Sequence, residues 1–114
     1  MLEQSYTTNK KASNHDTLMP LLEAMYNEFK EISKKKPDSA VSPSKIKIAN
    51  RLLETIRTIL KDEESIDFLD MLEEDDVPQV SDVALILSQY VAAMKAFHSK
   101  NFGWSGSNNE WFIK

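Results

Sequence analysis

Residues 81–98, SDVALILSQYVAAMKAFH, decide the fold of this 114-residue chain. Twelve of the fifteen positions from Val83 to Phe97 are apolar, and a serine, a glutamine and a lysine are the exceptions. A helix that is apolar on nearly all sides is buried by its neighbours. The run is too short and too interrupted to cross a bilayer, which needs about 20 apolar residues. The stretch therefore predicts the central helix of a small soluble domain, with Leu87, Tyr90 and Met94 inaccessible.

The rest of the chain contains further apolar stripes at helical spacing, separated by turn-forming residues. Asp16 or Thr17 is a candidate cap for the first of these helices, with Pro20 in its first turn. Ser42 and Pro43 are typical of the N-cap and first position of the second. Because the connections are short, we predict an all-α, single-domain four-helix bundle with up-down packing. Its helices are expected over residues 17–36, 43–61, 64–75 and 81–101.

The segments on either side of the predicted bundle have different compositions. Residues 1–15 are polar and have no helical or strand period, so we expect a flexible N-terminal arm. The bundle itself should span residues 16–104. Residues 105–114 form a C-terminal tail, in which Trp111 follows a Gly/Ser/Asn-rich turn. We expect Trp104 to fold back onto the helices and to be largely buried, and Trp111 to be partly buried at most.

Composition and charge limit the classes of site and partner that the sequence predicts. The chain has no cysteine, which excludes disulfides and thiolate metal sites. Its N-terminal stretch lacks the apolar run of a secretion signal, so a cytoplasmic location is expected. Residues 1–61 carry 11 Lys/Arg and 7 Asp/Glu, whereas residues 62–114 carry 3 Lys/Arg and 11 Asp/Glu. This asymmetry bears on which partners the protein attracts and on how fast they associate.

The acidic block of residues 62–76, DEESIDFLDMLEEDD, is the strongest anomaly in the sequence, with nine carboxylates. The plain interpretation is a solvated face. The more specific one is a docking surface for a partner with a basic surface, because opposite potentials accelerate encounter and select partners. Under this hypothesis the partner-binding residues are Asp67, Asp70, Glu73, Glu74, Asp75 and Asp76.

An alternative function uses the basic residues of the predicted second helix. Lys45, Lys47 and Arg51 would then contact phosphates in an accessory subunit associated with nucleic acid. The whole chain is nevertheless acidic, with a net charge of −4, and no zinc-finger or RNP motif is present. Nucleic-acid binding is therefore the second hypothesis, after protein binding.

A third hypothesis comes from two pairs of carboxylates. Glu28 to Glu31 gives E-x-x-E and Glu64 to Asp67 gives E-x-x-D, and carboxylates three apart share one helix face. This spacing resembles that of the MazG-related all-α nucleotide pyrophosphohydrolases. The resemblance implies two facing helices that hold Mg²⁺ against the phosphates of a nucleotide.

The preferred prediction is a protein-binding module and not an enzyme. The sequence shows no Ser–His–Asp order and no phosphate-binding Gly loop, and we expect no metal and no cofactor. In architecture, small acidic helical proteins without cysteine are similar to bacterial toxin-immunity proteins and to phage-encoded inhibitors of host systems. The predicted mechanism is occlusion of a basic surface on a partner protein. No membrane partner is expected, and the oligomeric state is left open.

Overall fold

The structure is a computed structural model that describes residues 4–114. The described chain is mostly helical, with three α-helices followed by a short antiparallel hairpin. The prediction of a four-helix bundle is therefore wrong, because residues 64–75 do not form an α-helix. The elements are α1 (Asn9–Lys35), α2 (Pro43–Leu60), α3 (Val80–Asn101), β1 (Phe102–Trp104) and β2 (Asn109–Trp111).

Helix α3 is the centre of the fold, as its sequence predicts. Leu87, Tyr90 and Met94 are fully inaccessible and belong to one apolar core with Leu22 of α1 and Leu53 of α2. By length and composition α3 would also fit a membrane-spanning helix, and in this structure α1 and α2 pack against it. The predicted burial of the central helix is thus confirmed.

Hydrogen bonds between the helices, and between the segments that precede them, show the direction in which each helix runs. His15, near the start of α1, bonds to the Met94 carbonyl near the end of α3, so α1 is antiparallel to α3. Arg57, near the end of α2, bonds to the Tyr90 hydroxyl, while Val41 just before α2 bonds to the chain just before α3. Helix α2 is therefore parallel to α3 and antiparallel to α1.

Side-chain caps explain where α2 and α3 begin. Ser42 is the N-cap of α2 and its hydroxyl accepts a backbone N–H, with Pro43 in the first position, which confirms the prediction. Helix α3 is capped by Gln79. The backbone N–H of Gln79 donates to the Asp82 carboxylate at 3.0 Å, which completes a capping box.

Helix α1 begins at Asn9 and not at residue 17. Thr8 is its N-cap and accepts a hydrogen bond from the backbone N–H of Lys11 at 3.1 Å. The predicted flexible arm over residues 1–15 is therefore wrong for its second half, which is helical. The first three residues of that arm lie outside the described part of the chain.

Packing against the core explains the longer first helix. Ala12 and His15 are buried and extend the inward face of α1 by two turns toward its N-terminus. Pro20 consequently lies inside the helix and not in its first turn. A proline there cannot donate to the carbonyl of Asp16 and is normally costly in a helix interior. The burial of the preceding turns compensates for this cost.

The acidic block forms two short 3₁₀ turns, Glu64–Phe68 and Glu74–Asp76, instead of the predicted helix. In an α-helix its carboxylates would stack at spacings of three and four, where like charges repel. Aspartate also has low helix propensity. The buried Leu69 and Leu72 attach the segment to the core without a helix.

The C-terminal hairpin places the two tryptophans differently from the prediction. Trp111 pairs with Phe102 beside the end of α3 and is half-buried, as expected. Trp104 pairs with Asn109 at the tip of the hairpin and remains 65% exposed, so its predicted burial is wrong. Each strand residue advances the chain by about 3.3 Å, which carries the tip beyond the helices.

The end of the chain pairs with the residues that precede α1. The backbone N–H of Thr7 donates to the Phe112 carbonyl, and the N–H of Lys114 donates to the Thr7 carbonyl, both at 2.9 Å. Ser5 donates its hydroxyl proton to the side-chain oxygen of the buried Asn101 at 2.7 Å. These bonds fasten both ends of the described chain to the C-terminal end of α3.

Candidate functional site

The acidic block of residues 62–76, which we call the acidic segment, is fixed to the helices by side chains that bind its backbone. Asn50 of α2 donates to the Leu72 carbonyl at 2.8 Å and accepts from the Leu72 N–H at 3.0 Å. The guanidinium of Arg57 donates to the Leu69 carbonyl at 2.7 Å. These bonds supply the backbone partners that a helix would otherwise provide.

Tyr90 of α3 is the third anchor of the acidic segment. Its hydroxyl donates to the Asp70 carbonyl at 3.0 Å and accepts from Arg57 at 3.2 Å. Burial raises the pKa of Tyr90 and outweighs the opposing effect of the neighbouring guanidinium. The phenol therefore keeps its proton at neutral pH and remains a hydrogen-bond donor to the segment.

Phe68 projects from the middle of the acidic segment and is 78% exposed. Its neighbours Leu69 and Leu72 point inward, whereas most of the carboxylates point outward. An aromatic ring of this exposure is an apolar contact point that the surrounding fold does not use. We call Phe68 and the exposed carboxylates that precede and follow it in the segment the acidic face; these are Glu64, Asp67, Asp70, Glu73, Asp75 and Asp76.

The carboxylates of the acidic face are not paired with any cation among the residues that the structure describes. The segment makes two ion pairs at its beginning, Asp62 with Lys11 at 3.0 Å and Glu63 with Lys100 at 2.9 Å. Among residues 4–114, no ion pair involves any carboxylate from Glu64 to Asp76. Of the six predicted partner-binding residues, Glu74 is half-buried and the other five are exposed. The face therefore presents a concentrated negative potential.

Lys45, Lys47 and Arg51 are exposed on α2, as the nucleic-acid hypothesis requires. Lys45 and Arg51, however, border an apolar groove of about 690 Å³ between α1 and α2. We call it the α1–α2 groove; its apolar walls include Leu18, Leu21, Met25, Phe29, Ile48 and Leu52. The cations therefore flank an apolar surface and do not form an uninterrupted basic face, and nucleic-acid binding stays an untested prediction.

The two carboxylate motifs of the third hypothesis do not lie on facing helices. Glu28 is on α1 and borders the α1–α2 groove. Glu64 and Asp67 are in a 3₁₀ turn of the acidic segment, which packs across α2 and α3. Within residues 4–114 no cluster of three or more His, Asp or Glu side chains is placed to hold a metal ion. The paired-helix arrangement that the resemblance implies is thus not formed.

An aromatic cluster at the C-terminal end of α3 was not foreseen from the sequence. The Trp111 ring lies edge-on to both His15 and His98, with ring centres 5.1 and 5.0 Å apart respectively. The indole N–H donates to the Asp16 carboxylate at 3.1 Å. His15 is buried, its Nε2–H donates to the Met94 carbonyl at 2.8 Å, and its Nδ1 has no hydrogen-bond partner among residues 4–114.

The burial of His15 makes stability depend on pH. Desolvation lowers the pKa of His15, and nearby His98 lowers it further, against the opposing effects of Met94 and Asp16. Below the ordinary pKa of 6.5 the unfolded chain therefore binds this proton more readily than the folded chain. Above pH 6.5 His15 is neutral in both states, and its burial does not reduce the free energy of unfolding. The free energy of unfolding falls as the pH falls from 6.5 toward the lowered pKa of His15.

Urea unfolding between about pH 5 and 7.5 tests this expectation. The His15→Gln variant keeps an N–H for the Met94 carbonyl but cannot titrate. Its unfolding free energy should fall less steeply with decreasing pH than that of the wild type. His98→Gln is the matched control and should retain most of the slope, since the burial of His15 is the largest cause of its lowered pKa. Equal slopes for wild type and His15→Gln would assign the pH dependence to other groups.

Comparison with known proteins assigns the chain to no family. No protein-family model, curated protein or solved structure matches the chain significantly. The functional argument therefore depends on the surfaces themselves. The acidic face can attract and hold a basic partner, whereas the α1–α2 groove can bury an apolar one.

Proposed function

We propose that this protein is a protein-binding module that docks through its acidic face onto a basic surface of a partner protein. The observation that supports this best is the exposure of Phe68 in a segment whose exposed carboxylates make no ion pair among residues 4–114, from Glu64 to Asp76. Protein interfaces commonly have an aromatic residue at the centre and polar residues at the rim. On the acidic face the Phe68 side chain would supply affinity, and the carboxylates would raise the association rate.

The proposed mechanism is occlusion in the cytoplasm, as in an inhibitor or immunity-type protein. The acidic segment is anchored to α2 and α3 by Asn50, Arg57 and Tyr90. A segment fixed in this way loses little conformational entropy on binding, which favours affinity. Once docked, the face would cover the cationic groups that the partner needs for its own activity.

Capture of the partner on three immobilised baits tests this function. The wild type should retain a protein with a basic surface from a lysate of the source cells. The triple variant Asp67→Lys, Asp70→Lys and Glu73→Lys should lose that protein, because its face then repels cations. Folding should survive the reversals, since exposed charges contribute at most about 1 kcal/mol each.

The third bait is a control of the same net charge, Asp38→Lys, Glu54→Lys and Glu110→Lys, with all three reversals outside the acidic segment. It should capture the same protein as the wild type. Equal capture by all three baits would show that the acidic face is only a solvated surface. Loss of capture by both triple variants would assign binding to net charge and not to this face.

A further inference from the structure

The α1–α2 groove leaves two large apolar side chains in water on opposite walls. Leu21 of α1 and Ile48 of α2 are each 54% exposed, while Leu52 and Phe29 beneath them are at least half-buried. The apolar wall on α1 runs from Leu18 to Ile32, a length of about 21 Å at the helical rise. An open apolar strip of this length is typical of an interaction surface.

Charges of opposite sign lie on the two rims of the groove. Glu28 is exposed on the α1 rim, and Lys45 and Arg51 are exposed on the α2 rim. In the part of the chain that the structure describes, none of these three side chains takes part in an ion pair. The surface therefore carries both halves of a charge pair, together with apolar projections and an apolar groove. It is complementary to itself.

We infer that the α1–α2 groove is the interface of a two-fold symmetric dimer of this chain. A two-fold interface uses the same patch on both copies, so the patch must be self-complementary. An axis parallel to the helices places the α1 rim of one copy over the α2 rim of the other. Since α1 and α2 are antiparallel, Glu28 then lies at the level of Arg51 of the second copy. An axis across the helices would instead oppose like rims and would lose the pairing of Glu28 with Arg51.

The size of the surface predicts a reversible dimer. Two helices each about 10 Å wide and 21 Å long present roughly 400 Å² per copy. Stable interfaces usually bury about 800 Å² per partner, so the dimer should dissociate on dilution. An acyl chain is a poorer occupant, because the open groove would leave one of its sides in water. A second copy of this chain has to bury only the one face that it presents to the groove.

Sedimentation equilibrium of the full chain from about 1 to 500 µM measures this association. The wild type should change from monomer to dimer within that range. Leu21→Glu and Ile48→Glu should each weaken dimerisation at least about tenfold, because they place a carboxylate in the apolar contact. Leu85→Glu is the matched control, since Leu85 is 60% exposed on α3 outside the groove, and it should dimerise as the wild type does.

A charge exchange between copies tests the orientation and does not depend on the apolar variants. Glu28→Lys and Arg51→Glu should each weaken dimerisation about tenfold, because each opposes like charges. An equimolar mixture of the two variants should form heterodimers about as tightly as the wild type. In that mixture the new lysine faces the new glutamate, and the remaining Arg51 faces the remaining Glu28.

Three results would overturn the inference. The first is a wild type that stays monomeric up to 500 µM, and the second is dimerisation unaffected by Leu21→Glu and Ile48→Glu. The third is an equimolar mixture of Glu28→Lys and Arg51→Glu that associates no more tightly than either variant alone. Phe68→Ala should leave dimerisation unchanged, because the acidic segment packs on α2 and α3 and not in the groove. Failure of the dimer therefore leaves the proposed function of the acidic face intact.

Discussion

Leu87→Ala will lower the free energy of unfolding by about 2–5 kcal/mol, the usual range for truncation of a fully buried leucine. Leu87 is wholly inaccessible on the helix that both other helices contact. Its truncation removes apolar burial and leaves a cavity that three packed helices cannot easily close. A loss of this size is a large part of the stability of a domain of this length.

Chemical denaturation of wild type and variant gives the loss directly from the transition midpoints and slopes. Leu85→Ala is the matched control, because Leu85 lies on the same helix but is 60% exposed. It should change stability by no more than about 0.5 kcal/mol. Similar losses for both variants would mean that α3 is not the core helix of the folded protein.

Phe68→Ala will weaken binding of the captured partner by about 30-fold or more, equivalent to about 2 kcal/mol. The ring is 78% exposed in the free protein, so its removal should leave the unfolding free energy nearly unchanged. The expected loss is mainly faster dissociation, since a neutral side chain has little effect on diffusional encounter. The variant therefore separates binding from stability.

Surface plasmon resonance against the purified partner measures both rate constants for Phe68→Ala. Leu85→Ala serves again as the control, because it removes an exposed apolar side chain that lies outside the acidic segment. Its rate constants should equal those of the wild type. If Phe68→Ala binds as the wild type does, the ring is outside the interface and the centre of the proposed surface is wrong.

The helical part of the fold follows closely from local sequence signals. Helix α3 follows from its nearly continuous apolar run, and α2 follows from an apolar period that begins at the Ser42–Pro43 cap. The predicted start of α1 at residue 17 is too late, because residues 1–15 are polar and show no apolar period of their own. The spacing of His15 to Met19 and Leu22 is that of a helical seam, which was the available signal for its burial.

The third predicted helix fails for reasons that lie outside its own sequence. The apolar residues of the acidic segment fit a short amphipathic helix. Asn50 and Arg57 of α2 instead bind the carbonyls of Leu72 and Leu69, and these contacts exist only after folding. Tertiary hydrogen bonds and carboxylate repulsion together override the local period.

The candidate surfaces were only partly predictable. Composition alone identified the carboxylates of the acidic face, because nine acids in fifteen residues are visible without a structure. The exposure of Phe68 depends on the 3₁₀ turn, which turns its ring outward while Leu69 points inward. The α1–α2 groove likewise depends on how α1 and α2 pack against each other, which the sequence of neither helix specifies alone.

Association kinetics across a range of salt concentrations test the central claim most directly. The association rate constant of the wild type with its captured partner should fall steeply as salt rises, because screening removes the attraction of the acidic face. The Asp67→Lys, Asp70→Lys and Glu73→Lys variant should associate slowly, with little further slowing by salt. The control reversal of Asp38, Glu54 and Glu110 should stay close to the wild type. If the acidic-face variant matches the wild type at every salt concentration, this face does not bind the partner.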